Sequence, residues 1–179
     1  IAKGADGVIA VAAGAGGHAG ALSPFALVQE IREWFDGPLL LSGSIANGDA
    51  VLASQAMGAD LAYIGSAFIA TDEANAVQGY KQSVVDNNAE DIVLSNLFTG
   101  VSGNYLKPSI EAAGLDPSNL PTSDASKMSF GSGSDSESKA WKDIWGCGQG
   151  IGAVKSVQTT KALVGRLSAE YRAAKSRLV

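Results

Sequence analysis

His18, the chain's single histidine, lies in a loop made almost entirely of glycine and alanine. Imidazole is the side chain best suited to take or release a proton at neutral pH. Glycines on both sides, Gly16 and Gly17 before it and Gly20 after it, let the backbone lie against a flat ligand. The alternative is a structural histidine bonded to backbone. No second histidine or paired cysteine motif accompanies it, so a metal site is not expected.

Two short turns, Ser42-Gly43-Ser44 and Gly65-Ser66, combine glycine with hydroxyl groups. Backbone N–H groups at loop–helix junctions bind phosphate, because these donors are unpaired and the helix dipole favours an anion. A Cβ in that space would block the anion, and serine hydroxyls add hydrogen bonds. The alternative is that both glycines only serve tight turns. Because two such turns flank a single helix, the sequence favours a phosphate site.

The elements that carry these loops alternate between strand and helix. Short apolar runs at 7–12, 38–42 and 61–64 have the continuous hydrophobicity of strands covered on both faces. Ser23 and Asn47 are predicted to cap the helices between them. This rhythm indicates a parallel sheet, in a barrel or a doubly wound fold. Phosphate sites of a (β/α)₈ barrel follow strands 7 and 8, so the three runs are assigned to strands 6–8 of a TIM barrel.

The alternation ends near residue 72, which suggests three parts. Residues 1–72 are predicted to be the C-terminal part of a phosphate-binding (β/α)₈ barrel. Residues 73–154 are predicted to form an α-rich cap over the substrate, with a polar loop at 116–138. Residues 155–179 are predicted to be a helix that packs back on the barrel.

Within the cap, hydrophobic spacing predicts a helix over 73–87, with Asp72 and Glu73 as its acidic first turn. A strand is predicted over 91–95, a turn over 100–104 and a short helix over 108–113. Trp141 and Trp145, four residues apart, are expected either to pack in the core or to cover the site.

Composition excludes several classes of protein. The net charge of −5 leaves no basic surface for nucleic acid or for a membrane. No apolar run reaches the roughly 18–20 residues needed to span a bilayer. The one cysteine, Cys147, cannot form an internal disulfide and fits a reducing, cytoplasmic location. No activating base accompanies it in the sequence, so a reactive thiol is not expected.

Several segments together resemble one enzyme family, and they occur in the family's order along almost the whole chain. They are the histidine loop Ala15–Gly20, the turn Gly43–Gly48, the segment Gly58–Phe68, and the C-terminal segments Gly103–Leu106 and Trp145–Gly152. The family is that of the nitronate monooxygenases, formerly 2-nitropropane dioxygenases, and the chain resembles its C-terminal half. Two residues depart from the pattern: Ser44 replaces a glycine, and Gly14 replaces a glutamate.

The resemblance implies an FMN-dependent barrel that oxidises alkyl nitronates, and sometimes nitroalkanes, with O₂ to a carbonyl compound and nitrite. It implies that His18 is the catalytic residue, taking the α-proton of a nitroalkane or holding the nitronate, with Gly16 and Gly17 beside the flavin ring. The residues assigned to the cofactor phosphate and its surroundings are Ser42, Gly43, Ser44, Tyr63, Gly65 and Ser66.

Two alternatives remain open at this point. One is a flavin-dependent enoyl-acyl-carrier-protein reductase, which has a similar Gly-Gly-His loop; the other is a barrel that binds a different phosphate ligand. Three strands cannot close a barrel. The N-terminal half of the same protein is therefore an expected partner, and residues 1–179 alone are expected to aggregate or be molten, and to be inactive. The sequence leaves homo-oligomerisation open.

Overall fold

The computed structural model describes residues 1–123 and 143–178, which contain two three-stranded sheets. Most of the predicted loop 116–138, and Trp141, lie outside these residues. The strands are β1 (Val8–Val11), β2 (Gly17–His18), β3 (Leu39–Ser42), β4 (Leu61–Tyr63), β5 (Ile92–Ser95) and β6 (Gly103–Leu106). The helices are α1 (Pro24–Arg32), α2 (Gly48–Ala56), α3 (Ser66–Ile69), α4 (Gln78–Asp86), α5 (Lys107–Ala112) and α6 (Thr160–Leu178), with 3₁₀ helices at Ala89–Asp91 and Gln149–Ala153.

The first sheet is parallel, in the order β1-β3-β4, and its three strands are joined by α1 and α2. This arrangement confirms the predicted α/β class with a parallel sheet, and three βα units in this order are consistent with part of a TIM barrel. The predicted helix starts are also confirmed. Ser23 Oγ accepts a hydrogen bond from Ala26 N–H, and Asn47 Oδ1 accepts one from Ala50 N–H.

Only one face of the parallel sheet is covered by the residues that the structure describes. Ala10, Leu39 and Leu41 are buried in a cluster with Val28 of α1. On the opposite face the apolar side chains are about half exposed, and they are Ile9, Val11, Leu61 and Tyr63. Burial of such a side chain contributes roughly 1.5–3 kcal/mol. The exposed face is therefore a strongly favourable surface for further strands or side chains, as the interior of a barrel requires.

The second sheet is antiparallel, in the order β2-β6-β5, and one predicted element differs here. The prediction of a turn over 100–104 was wrong at its end, because Gly103 and Asn104 belong to β6. All four residues of β6 are buried. They pair with β5 on one side and with the histidine loop on the other. Gly103 and Asn104 suit turns in isolation, but partners on both sides hold them in a strand.

The prediction of a helix over 73–87 was also wrong at its start, because α4 begins at Gln78. The Glu73 carboxylate accepts hydrogen bonds from Thr160 N–H at 2.8 Å and from Thr160 Oγ1 at 2.9 Å. These bonds, first that from the Thr160 N–H, lower the pKa of Glu73. Glu73 therefore stabilises the N-terminus of α6 rather than that of α4.

α6 packs along α2 at the edge of the parallel sheet. Glu170 accepts a hydrogen bond from Gly48 N–H at 2.9 Å, and Tyr171 bonds Gln55. A Cβ on Gly48 would overlap the backbone of Leu167 and Tyr171. The close approach of the two helices therefore depends on the absence of a side chain at this position. Within the described ranges, no helix is both long enough and apolar enough to cross a membrane.

Candidate active site

The two serine–glycine turns meet because their strands are neighbours in register. Ser42, the last residue of β3, lies opposite Tyr63, the last residue of β4, so the turns that follow lie side by side. Together they line one small pocket. Its lining includes every predicted flavin-contact residue except Gly17, namely Gly16, Ser42, Gly43, Ser44, Tyr63, Gly65 and Ser66.

The two central glycines of this pocket have different structural explanations. Gly43 has φ +147°, and its Cβ would lie 3.0 Å from Ala13 O and 3.2 Å from an Ala12 side chain. The chain itself therefore requires glycine at residue 43. Gly65 has φ −114°, which any residue adopts, and a Cβ there would meet no atom within 4 Å. Nothing in the described fold requires glycine at residue 65, so its bare backbone preserves open space in the pocket.

Backbone donors surround this open space. Among residues 1–123 and 143–178, no acceptor is hydrogen-bonded to the N–H groups of Gly43, Gly65 or Ser66. Ser44 N–H reaches Gly14 O at 3.3 Å, a long bond. Ser44 also has φ +56°, the left-handed region where a non-glycine residue is strained by about 1–2 kcal/mol. Glycine at this position would be free of the strain.

The first amides of α2 are not among the free donors. In the structure Gly48 N–H bonds Glu170 and Ala50 N–H bonds Asn47, so both are occupied. No lysine or arginine is among the described residues that line the pocket. An anion there would be held by turn amides and serine hydroxyls instead of by α2 or by a formal positive charge.

A third segment, Gly146–Gly150, completes the pocket, and sequence reasoning connected it to the site only through the family resemblance. Gly148 N–H donates to Ser66 Oγ and Gln149 N–H donates to Gly14 O, both at 2.9 Å. A Cβ on Gly16 would lie 2.6 Å from Gly148 N. Gly14, Gly148 and Gly150 line the pocket but were not predicted. For Gly148 and Gly150, the signal in the sequence is the run of glycines at every second position from 146 to 152.

His18 and Gly17 lie on the other side of the same loop, in a separate cleft of about 420 Å³. His18 is exposed in this chain, and its Nε2 lies 3.1 Å from Thr99 Oγ1. The other residues that line the cleft are mostly apolar or aromatic: Asn75, Ala76, Val77, Tyr80, Tyr105, Ile144, Trp145 and Gly146. The loop therefore separates a polar pocket from a cleft suited to a small organic molecule.

Trp145 forms a wall of this cleft. Its ring stacks on Tyr80 with centroids 5.1 Å apart and an interplanar angle of 12°. Tyr80 donates its hydroxyl proton to Gly146 O. Burial raises the pKa of Tyr80, so its hydroxyl stays protonated near neutral pH. Trp145 thus packs against the hydrophobic core on one side and lines the cleft that contains His18 on the other.

Cys147 is buried next to both pockets but lacks the character of a nucleophile. Burial raises the pKa of its thiol to about 12, although hydrogen bonds from Ser66 and Gly148 oppose this effect. A thiol reacts through its thiolate, so Cys147 is inert near neutral pH. The described residues include no cluster of three or more potential metal ligands among His, Cys, Asp and Glu.

Sequence comparison places the chain among known proteins. The profile of the nitronate monooxygenase family matches residues 1–170. A probable nitronate monooxygenase of Staphylococcus saprophyticus is 34% identical over 108 residues, covering 54% of this chain and 30% of that protein. The nitronate monooxygenase of Paraburkholderia phytofirmans is 29% identical over 125 residues, covering 65% of this chain and 34% of that protein. The matched region thus spans about a third of these relatives.

Solved structures agree with this placement. Nitroalkane oxidase from Streptomyces ansochromogenes is 28% identical with a TM-score of 0.75, over 99% of this chain and 55% of that chain. FabK from Thermotoga maritima has a TM-score of 0.77 at 22% identity, over 99% of this chain and 58% of that chain, which shows a shared fold. With a family profile that covers nearly all of its length, the chain belongs to the nitronate monooxygenase family.

Proposed function

We propose that this chain carries the cofactor-phosphate site and the proton-transfer residue of an FMN-dependent enzyme that oxidises alkyl nitronates and nitroalkanes with O₂. The products are a carbonyl compound and nitrite. The proposal rests on one observation about Gly65. Its lack of a side chain leaves space beside amides that have no acceptor among the described residues, although the fold does not require glycine there. Family membership supplies the chemical class.

The residues present fit the phosphate of FMN. The amides of Gly43, Gly65 and Ser66 and the hydroxyls of Ser44 and Ser66 would hold its oxygens, with Ser42 and Tyr63 at the rim. Gly16 and Gly17 would face the flavin ring, because they lie between the pocket and the cleft. When bound, FMN supplies the redox chemistry, accepting electrons from the nitronate and passing them to oxygen.

His18 performs the acid–base part of the reaction. Its imidazole takes the α-proton from a neutral nitroalkane, or donates a hydrogen bond to a nitronate that arrives already ionised. The cleft beside it, of about 420 Å³, has room for a small alkyl nitro compound. Trp145 and Tyr80 exclude water from one side of that cleft.

Strands from outside this chain would complete the site. The exposed inner face of the parallel sheet needs a cover, and the chain spans only 55% of the matched nitroalkane oxidase. We infer that the missing part of the barrel lies in an N-terminal half of the same protein. That half would supply the remaining cofactor contacts.

The test uses the longer protein that contains this chain. We expect it to be yellow when purified and to release FMN on denaturation. It should consume O₂ with propionate 3-nitronate in the absence of NADH. A colourless protein would contradict the proposal. So would NADH-dependent reduction of an enoyl thioester without oxidation of any nitronate, which would assign the protein to the reductase alternative instead.

A further inference from the structure

Thr99 is the hydrogen-bonding partner of His18, and it lies in a segment that the fold holds beside the histidine loop. His18 pairs with Gly103 across β2 and β6, and Ala19 N–H donates to Ser102 O at 3.1 Å. A Cβ on Gly103 would lie 2.8 Å from the Tyr105 hydroxyl. These contacts fix the path of residues 99–103, so the contact between Thr99 and His18 is a consequence of strand pairing.

The other hydrogen bonds of Thr99 indicate which group donates in its contact with His18. A hydroxyl has one proton to donate and two lone pairs to accept with. Thr99 donates its proton to Val101 O at 3.0 Å and accepts from Val101 N–H at 3.4 Å. The contact with His18 Nε2, at 3.1 Å, is then left to the remaining lone pair, an arrangement that favours a hydrogen on Nε2.

We propose that Thr99 is a positioning residue that holds His18 in the tautomer with hydrogen on Nε2 and the lone pair on Nδ1. Within the described residues, Nδ1 has no protein partner. It is therefore the ring nitrogen available to take the α-proton of a nitroalkane. The proton passes from the substrate carbon to Nδ1, leaving a nitronate anion and an imidazolium whose Nε2–H still donates to Thr99. This inference rests on the proposed function for its substrate, but not for the tautomer itself.

The tautomer can be measured directly in the longer protein labelled with ¹⁵N-histidine. The His18 signals are identified by their absence in the His18→Asn variant, at a pH where the ring is neutral. Wild type and Thr99→Ser, which keeps the hydroxyl, should show a protonated Nε2 and an unprotonated Nδ1. Thr99→Val, similar in shape but without an acceptor, should show shifts averaged between the two tautomers. A protonated Nδ1 in wild type overturns the inference even if neither Thr99 variant folds.

Turnover provides the second measurement. Loss of one ring hydrogen bond in Thr99→Val should lower kcat on a neutral nitroalkane about fivefold to tenfold with little change in KM, and Thr99→Ser should stay within about twofold of wild type. Unchanged ring shifts and unchanged turnover in Thr99→Val would overturn the inference. A protein that oxidises no nitro compound, yet shows the expected tautomer and loses it in Thr99→Val, would instead refute the proposed function and support the role of Thr99.

Discussion

Ser66 Oγ accepts a hydrogen bond from Gly148 N–H at 2.9 Å, although the two residues are 82 positions apart. This contact joins the turn after β4 to the C-terminal glycine-rich segment. Gln149 N–H bonds Gly14 O from the same segment, so the histidine loop is held as well. The proposed phosphate site and the proposed catalytic loop are thus fixed by one stretch of backbone, and changes in that stretch should affect both.

The first prediction concerns Gly65, where a side chain meets nothing in the described fold. Gly65→Ala should leave the stability of the FMN-free protein unchanged but raise the Kd for FMN at least about tenfold, because its methyl group occupies the space proposed for the phosphate. Fluorescence titration of the apoprotein with FMN measures the affinity. Gly165→Ala in α6, which also has open space around it, is the matched control and should bind FMN normally. Equal affinity in both variants would refute the phosphate assignment.

The second prediction concerns His18 as the base. His18→Asn keeps a polar side chain but cannot take a proton, so it should retain FMN and lose about a hundredfold or more of its turnover on neutral nitroalkanes. Oxidation of a preformed nitronate should fall much less, because that substrate has already lost its proton. Oxygen uptake with the two substrates gives the comparison. Full activity of the variant on nitroalkane would remove His18 from the mechanism.

The third prediction concerns the packing of α6 on α2. In Gly48→Ala the methyl group would overlap the backbone of Leu167 and Tyr171, so the helices must separate. We expect a loss of about 1–3 kcal/mol in the free energy of unfolding, measured by urea denaturation of the longer protein. Gly165→Ala, on α6 but away from α2, should be neutral or stabilising by up to about 1 kcal/mol. Equal urea midpoints for wild type and Gly48→Ala would contradict the close packing of α6 on α2 at this residue.

The fourth prediction concerns pH. A hydrogen bond from Leu39 N–H, followed by one from Arg32, lowers the pKa of Asp60 below its ordinary value of 3.8. A carboxyl whose folded-state pKa is depressed stabilises the fold above its unfolded-state pKa. That contribution is lost as the pH falls through the lower, folded-state value. Stability should therefore decline below about pH 4. Asp60→Asn should be less stable at neutral pH and decline less on acidification, as urea midpoints across the acid range will show.

Much of the local structure followed from the sequence, because its causes are local. The caps at Ser23 and Asn47 satisfy N–H groups three residues ahead, and the apolar runs indicated parallel strands, although one face of their sheet is half exposed in the described residues. The parallel order of these strands then brought Ser42 beside Tyr63, and with them the two glycine turns. The roles assigned to His18 and to the phosphate turns remain predictions.

Other features required the tertiary structure, because their partners are distant along the chain. Glu170 occupies the start of α2 from 122 positions away, and Glu73 stabilises the start of α6 from 87. Gly103 and Asn104 look like a turn until strands pair on both sides of them. The sequence by itself determined the βα repeat, the helix caps and the small residues at the strand ends, since each depends on neighbouring backbone. Only the folded chain decided which amides stay free, and which hydroxyl meets His18, because those depend on where remote segments pack.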